Sequence, residues 1–381
     1  MDAAATKPHA GGGPSLVGEG SFACVFHPPP RCFTQEHPLS KRSDADKPLG
    51  IGKVFERNGD AIEEWAIIKA IAKLDPKQAY FIYPLSQCTV LESAVRTRPN
   101  ARGCSLLGHS APNPSREYIM LKMPTARETS VAYVDSHRKR LTIPELLRGM
   151  IPVARGLERL ARAKIIHHDL KQDNVMWLSA QEGFRLIDFG LAIPMGNAFD
   201  PNKNWTLAAN YFLHPPEYRM FHQWGRAPRS AALASMEYEE DRHLLAQIAV
   251  LPKRTLLDEI TSRYLPADQQ HAQWTAFHDA LASKPTLADA RAFAQRYATR
   301  IDTYAFGLLL VALAARLSQA TAPEGFYRFV GRMISPDPRV RPSPAAVCKW
   351  IVASAAKAPG QAPPPPPSNP RRPRHAKQKR P

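Results

Sequence analysis

The sequence predicts an α+β fold, with strand-like segments concentrated before residue 124 and helical patterning after it. Three observations carry that expectation. Before residue 124, short apolar runs rich in β-branched and aromatic residues are set off by turns, as in Leu16 to Phe26, Ile51 to Phe55 and Tyr118 to Met123. Beyond it, apolar residues recur at helical spacing, as in Leu146, Leu147, Met150, Val153, Ala154, Leu157 and Leu160. The longest apolar run, Tyr304 to Ala315, is too short to span a bilayer and reads as a buried core helix.

The elements follow in order. Residues 1–14 are small and polar and read as a disordered start. Two strands flank Gly18 and Gly20, whose lack of side chains lets the backbone approach a phosphate chain. Pro28 to Pro48 reads as an inserted, proline-rich loop. Ile51-Gly52-Lys53-Val54-Phe55 is a strand carrying one lysine; Lys47 is its rival, but precedes a proline and has no strand pattern. Asp60 to Leu74 is helical, with Ile67, Ile68, Ile71 and Leu74 marking a buried face. Glu64 borders that face, whereas Glu63 has a weaker one at the same offsets. Leu85 to Leu106 is a poorly patterned strand-and-loop region. Thr142-Ile143-Pro144-Glu145 starts a helix running to about Ala163. Val175 to Leu178 and Phe184 to Ile187 form a hairpin around the turn Ser179 to Gly183. Residues 220–300 are mostly helical in pattern.

Chemistry concentrates in His167-His168-Asp169-Leu170-Lys171-Gln172-Asp173-Asn174 and in Asp188-Phe189-Gly190. Asp169, Asn174 and Asp188 lie on a tight loop and at the hairpin's end, placed to converge. Oxygen ligands of this kind suit Mg²⁺, which binds through one or two carboxylates plus substrate phosphates. Lys171 sets a cation where a transferring phosphoryl group needs neutralising.

These two stretches, at this spacing, resemble the catalytic loop and magnesium motif of eukaryotic-type protein kinases. The resemblance runs from residue 16 to about 355. It implies a bilobal kinase fold, with a small β-rich N-lobe and a larger helical C-lobe: a disordered N-terminus (1–14), the N-lobe (15–123), the C-lobe (124–357) with a helical insertion at about 220–300, and a Pro-rich basic tail (358–381). It implies ATP and Mg²⁺ as cofactors and protein Ser/Thr hydroxyls as acceptors, Lys171 being of the Ser/Thr rather than the Tyr type. Asp169 would be the base, Lys171 would contact the γ-phosphate, and Asn174 and Asp188 would hold Mg²⁺. Lys53 would bind phosphates, paired with Glu64. Val17, Gly18, Gly20, Ser21 and Val25 would surround ATP, and backbone groups from Lys122 and Met123 to Pro124 would bind adenine. Met120 or Leu121 would guard the back pocket. Ile68, Phe189 and His167 would stack, Asp302 would hold the catalytic-loop backbone, and Arg341 would pair with Glu217. His168 stands where most such kinases have Arg, and Thr206 is the one obvious hydroxyl of the activation segment, which implies activity that does not need phosphorylation there. The compressed Gly-loop, inserted loop and His-His-Asp resemble the divergent kinases of large DNA viruses.

The net charge of +17 suggests acidic partners or nucleic acid, but much of it is spread along the chain. The five prolines Pro363 to Pro367 and the basic residues from Arg371 to Arg380 make the tail a candidate for nucleic acid or a Pro-recognising partner. Five cysteines without a Cys-x-x-Cys pair argue for a reducing compartment and against zinc. With no apolar signal core, the expected location is intracellular, in the cytoplasm or nucleus of a host cell or in a virion, without membrane contact. A pseudokinase scaffold and a small-molecule phosphotransferase are the rival readings. The candidates for strand lysine, base and magnesium aspartate weigh against the first, and the Asp302 helix start and the Glu217–Arg341 pair weigh against the second.

Overall fold

The computed structural model describes residues 15–19, 23–39, 50–56, 59–97, 101–107, 111–195, 215, 217, 260, 262–317 and 324–356. Gly20, Ser21, Thr206, the tail and most of the expected insertion before residue 260 lie outside them.

The fold is α+β with the bilobal arrangement of protein kinases. Six strands form the first part: β1 (Ser15–Glu19), β2 (Ala23–His27), β3 (His37–Pro38), β4 (Ile51–Glu56), β5 (Ser86–Leu91) and β6 (Glu117–Met123). They make one sheet of order β1-β2-β4-β6-β5-β3. Its antiparallel register sets Lys53 opposite Val25 on one side and Leu121 on the other, so these three share a face. Cys24, Phe26, Val54, Cys88, Val90, Tyr118 and Met120 fall on the opposite face. There they are buried against Val95, Ala101, Cys104 and Leu107.

This outer layer was not expected from the sequence. Residues 33–39 run along β5 as part of it: Phe33 N–H donates to Thr89 O at 2.7 Å and Leu39 N–H to Leu85 O at 2.7 Å. The inserted loop thereby covers a sheet edge that would otherwise present unpaired backbone groups. The poorly patterned strand-and-loop stretch holds β5, whose buried residues Ser86, Cys88 and Val90 alternate with less buried ones. Two of the three are not strongly apolar, which is why the alternation is hard to see.

The cysteine reading is corrected here. Cys24 of β2 is disulfide-bonded to Cys104, and Cys32 to Cys88 of β5, leaving Cys348 as the free cysteine. The partners are 80 and 56 residues apart in sequence, so a search for close cysteine pairs misses them. Each bridge fastens part of the outer layer to the sheet, and the thiols therefore do not argue for a reducing compartment.

Helix α1 (Gly59–Leu74) packs with Ala61, Glu64, Trp65, Ile68 and Ile71 buried. A short helix, α2 (Glu92–Arg96), follows β5. Beyond β6 come β7 (Glu128–Thr129), α3 (Ser130–His137), α4 (Ile143–Gly149) and α5 (Ile151–Arg162). The sequence suggests one helix over the last two. The chain breaks at Met150 because Pro152, in the first turn of α5, has no N–H to continue the ladder. Thr142 and Glu145 close a capping box at the start of α4. Strands β9 (Val175–Ser179) and β10 (Gly183–Leu186) form the expected hairpin and join β7 in a small sheet, while β8 (Ile165–Ile166) pairs with β11 (Ile193–Pro194).

In the described part of the insertion stand α6 (Ala267–Ala282) and α7 (Leu287–Gln295). Helix α8 (Arg300–Ala314) is buried along almost its whole length, as its apolar run requires. Helices α9 (Glu324–Met333) and α10 (Pro344–Ala355) complete the fold. Among the described residues no helix is long and apolar enough to cross a membrane.

The disulfides give a direct check. Protein unfolded without reductant should alkylate only at Cys348, and all five cysteines should react after reduction. Cys24→Ser should lower unfolding stability by about 2–4 kcal/mol. Five reactive thiols before reduction would show that the bridges do not form.

Candidate active site

Asp169 lies between β8 and β9, on a loop whose backbone is held from below. The buried carboxylate of Asp302, in the first turn of α8, accepts the N–H groups of His167 at 2.7 Å and His168 at 2.9 Å. Burial pushes the Asp302 carboxyl above the usual range, and the two N–H bonds and nearby His167 work against that. His168 sits at φ +72°, a left-handed conformation that disfavours a residue with a side chain. Such strain, about 1–3 kcal/mol, persists only where surrounding bonds over-determine it. The two bonds to Asp302 are on the spot to do so.

The Asp169 carboxylate is oriented by two donors. Lys171 Nζ donates to Oδ2 at 2.9 Å, and Asn174 Nδ2 donates to the same oxygen at 2.8 Å. Asn174 Nδ2 also reaches Asp169 O at 2.8 Å, so one amide fixes both ends of the residue. Ile187 N–H bonds Asn174 O at 2.9 Å across the foot of the hairpin, which brings Asp188 next to this loop.

Asp188 meets the first lobe through Lys53. Lys53 Nζ donates to Glu64 Oε1 at 3.0 Å, to Glu64 Oε2 at 2.9 Å and to Asp188 Oδ1 at 2.8 Å. Burial alone would lower the lysine's pKa, but the two carboxylates prevail and raise it, so the ammonium stays charged. Burial would raise Asp188; the Lys53 charge outweighs it and holds the carboxyl down at about 2. Glu64 is pushed up by burial, with Asp188 adding to it and Lys53 opposing. Glu63 is exposed, so the residue at the border of the apolar face is the one turned inward. Gly190 completes the cluster: its N–H donates to Asp188 Oδ1 at 3.2 Å, and a Cβ there would stand 2.9 Å from Glu64 Oε2.

Phe189 is buried beside His167, with ring centroids 5.1 Å apart, and Ile68 is buried in the same core. The sequence reading missed a further member. Phe81, following the turn after α1, stands edge-on to Phe189 at 5.4 Å. Its signal was the apolar run Phe81-Ile82-Tyr83 directly behind the helix.

The sheet register settles which β6 residues face the cluster. Leu121 lies opposite Lys53 and Met123 opposite Ile51, both on the site face, whereas Met120 lies opposite Val54 in the outer core. Leu121 is therefore the residue beside Lys53. Lys122, opposite Gly52, is turned to the outer face. Its carbonyl accepts Leu85 N–H at 2.8 Å and its ammonium pairs with Glu36 of the outer layer. Val25 is on the site face, Gly18 lies in β1 opposite Val25, and Val17 is 45% exposed.

A second charged pair braces the C-terminal part. Arg341 forks onto both oxygens of Glu217, with Nη2 to Oε2 at 2.8 Å, and donates through Nε to Ser335 O at 2.6 Å. Its guanidinium also lies 4.9 Å from the Tyr304 ring centroid. Both charges are fully buried.

The donor set fits Mg²⁺. Among the described residues Asp188 Oδ2 and Asn174 Oδ1 make no hydrogen bond, since Lys53 and Gly190 use Oδ1 of the one and Asp169 uses the amide nitrogen of the other. No group of three His, Cys, Asp or Glu side chains suited to a metal ion occurs among them. One carboxylate and one amide oxygen make an incomplete shell that phosphate oxygens and water would fill, as Mg²⁺ sites commonly do.

Residues 107–218 match the family model described as "Protein kinase domain". That stretch includes Asp169, Lys171, Asn174, Asp188 and Glu217, but ends short of Lys53 and Glu64 on the N-terminal side. Over 84 residues the chain is 31% identical to the probable serine/threonine-protein kinase fnkB of Dictyostelium discoideum. The alignment covers 22% of this chain and 15% of that relative, so the chain spans only a small part of the relative's length.

The buried fork predicts a large stability effect. Arg341→Met leaves Glu217 buried without its cation and should lower unfolding stability by about 3–5 kcal/mol in chemical denaturation. A loss under about 1 kcal/mol would show that the pair is not desolvated.

Proposed function

We propose that this chain is an ATP-dependent protein kinase that transfers the γ-phosphoryl group to Ser or Thr hydroxyls of protein substrates. One observation supports this above the rest: Lys53 is held by Glu64 and Asp188, and Asp188 is brought next to the Asp169–Lys171–Asn174 loop by the Ile187 N–H bond to Asn174 O. In this reading Lys53 binds phosphate oxygens of ATP. Its two carboxylate partners fix the position of its charge before substrate arrives. Asp169 accepts the proton of the acceptor hydroxyl, and Lys171, already on its Oδ2, neutralises charge on the transferring group. Asn174 and Asp188 would hold Mg²⁺, which when bound neutralises phosphate charge. Positioning and charge neutralisation are nearly all that phosphoryl transfer asks of a protein.

The Ser/Thr assignment rests on Lys171 and on the name of the Dictyostelium relative. The tail is proposed to contact nucleic acid or a Pro-recognising module. The viral type and a host-cell location, in cytoplasm, nucleus or virion, remain part of the proposal on sequence resemblance alone; the alkylation experiment bears on the compartment.

The test is turnover with Mg²⁺, ATP and a mixed protein substrate. Asp169→Ala, Asp188→Asn and Lys53→Met should each reduce transfer by at least about a hundredfold while the far-ultraviolet spectrum is unchanged. Near-normal turnover in Asp188→Asn would overturn the assignment.

A further inference from the structure

Glu64 and Asp188 come from different elements, α1 and the end of the β9–β10 hairpin, yet both must sit on Lys53. Something has to fix those elements relative to one another. The turn that leaves α1 does this, and a single carboxylate organises it.

Asp75 follows the last residue of α1 and is buried. Its Oδ1 accepts Ala79 N–H at 2.8 Å; its Oδ2 accepts Tyr80 N–H at 2.7 Å and Phe81 N–H at 3.0 Å. Its own backbone is also engaged, with N–H bonded to Ile71 O at 3.0 Å and the carbonyl accepting Tyr83 Oη–H at 2.8 Å. Three N–H groups on one carboxylate force the chain into a tight reversal, with Gln78 at φ +53°.

The reversed segment is stitched to β10. Leu186 N–H donates to Tyr80 O at 3.1 Å, and Ile82 N–H donates to Leu186 O at 3.0 Å. Leu186 is two residues before Asp188. Phe81, between those two bonds, packs on Phe189 and approaches α5 so closely that a Cβ at Gly156 would be 2.7 Å from its ring. Arg159 of α5 donates to Leu74 O at 2.7 Å, and Arg185 Nε to Gln78 O at 3.3 Å. The C-terminal end of α1 is thus pinned to α5 and β10.

We propose that Asp75 is a positioning residue for phosphoryl transfer. It touches neither Lys53 nor any reacting group. By folding residues 75–81 onto β10 it sets the pivot of α1, and with it the separation of Glu64 from Asp188 around Lys53. Without its three bonds the N–H groups of residues 79–81 lose their partner, the segment leaves Leu186, and Glu64 moves off the lysine.

The activity arm of the test rests on the function proposed above; the exchange arm does not. Asp75→Ala, Asp75→Asn and Glu64→Gln are made in the full chain, with the double variant Asp75→Ala/Glu64→Gln. Amide hydrogen exchange is followed in Gly59–Leu74 and in Pro344–Ala355. Asp75→Ala should speed exchange in the first helix tenfold or more and leave the second unchanged. It should lower kcat/KM for ATP at least tenfold, and the double variant should be within threefold of Glu64→Gln alone, because both changes break the same pair. Asp75→Asn, whose one oxygen can accept from Tyr80 and Phe81, should fall between wild type and Asp75→Ala, and it carries the test should the alanine variant not fold. Unchanged exchange in Gly59–Leu74, or losses that multiply in the double variant, would overturn the inference. If the wild-type chain transfers no phosphate, the proposed function fails and the exchange arm alone decides the role of Asp75.

Discussion

Lys53 is where the two parts of the molecule meet. Its ammonium is shared by a carboxylate from α1 and one from the end of the β9–β10 hairpin. Two carboxylates side by side would repel, and burial makes each harder to ionise. The lysine offsets both effects. Asp188 consequently stays far down the carboxylate range, and the lysine stays charged. The sheet register, the burial of Glu64 and the close approach allowed by Gly190 all serve this one contact.

The supports of the cluster are polar and buried, and each is satisfied. Asp302 takes two N–H groups of the loop that carries Asp169, Asp75 takes three of the turn after α1, and Arg341 takes both oxygens of Glu217. Buried carboxylates without such partners would cost several kcal/mol each. With them, they specify backbone positions that apolar packing alone would leave loose. The outer layer of the sheet, fastened by two disulfides, adds rigidity on the side away from the site.

Much of this was legible in the sequence, for physical reasons. Glu64 could be separated from Glu63 because helical spacing shows which of them borders the apolar face. Asp169, Asn174 and Asp188 could be placed together because a short hairpin joins them. Asp302 and Arg341 were readable from their motifs. What was not legible depends on partners distant in sequence. Phe81 gains its role from Phe189, and Asp75 from a fold-back onto β10. Which of Met120 and Leu121 lies beside Lys53 is set by register, which the apolar run of β6 does not reveal. The break at Met150 was marked by Pro152 but masked by an unbroken apolar stripe on either side. The cysteine pairs join an expected strand at Cys24 to Cys104 and the inserted loop at Cys32 to Cys88, partners too far apart in sequence for spacing to suggest them.

The proposed role of this cluster of charges is to carry a terminal phosphoryl group from nucleotide to hydroxyl. The most direct measurement compares ATP labelled at the α- and at the γ-phosphate, with wild-type protein, Mg²⁺ and a protein acceptor. Label should reach Ser or Thr side chains from γ-labelled ATP only, and none should transfer when Mg²⁺ is chelated. No transfer from γ-labelled ATP, with nucleotide bound and the fold intact, would contradict it.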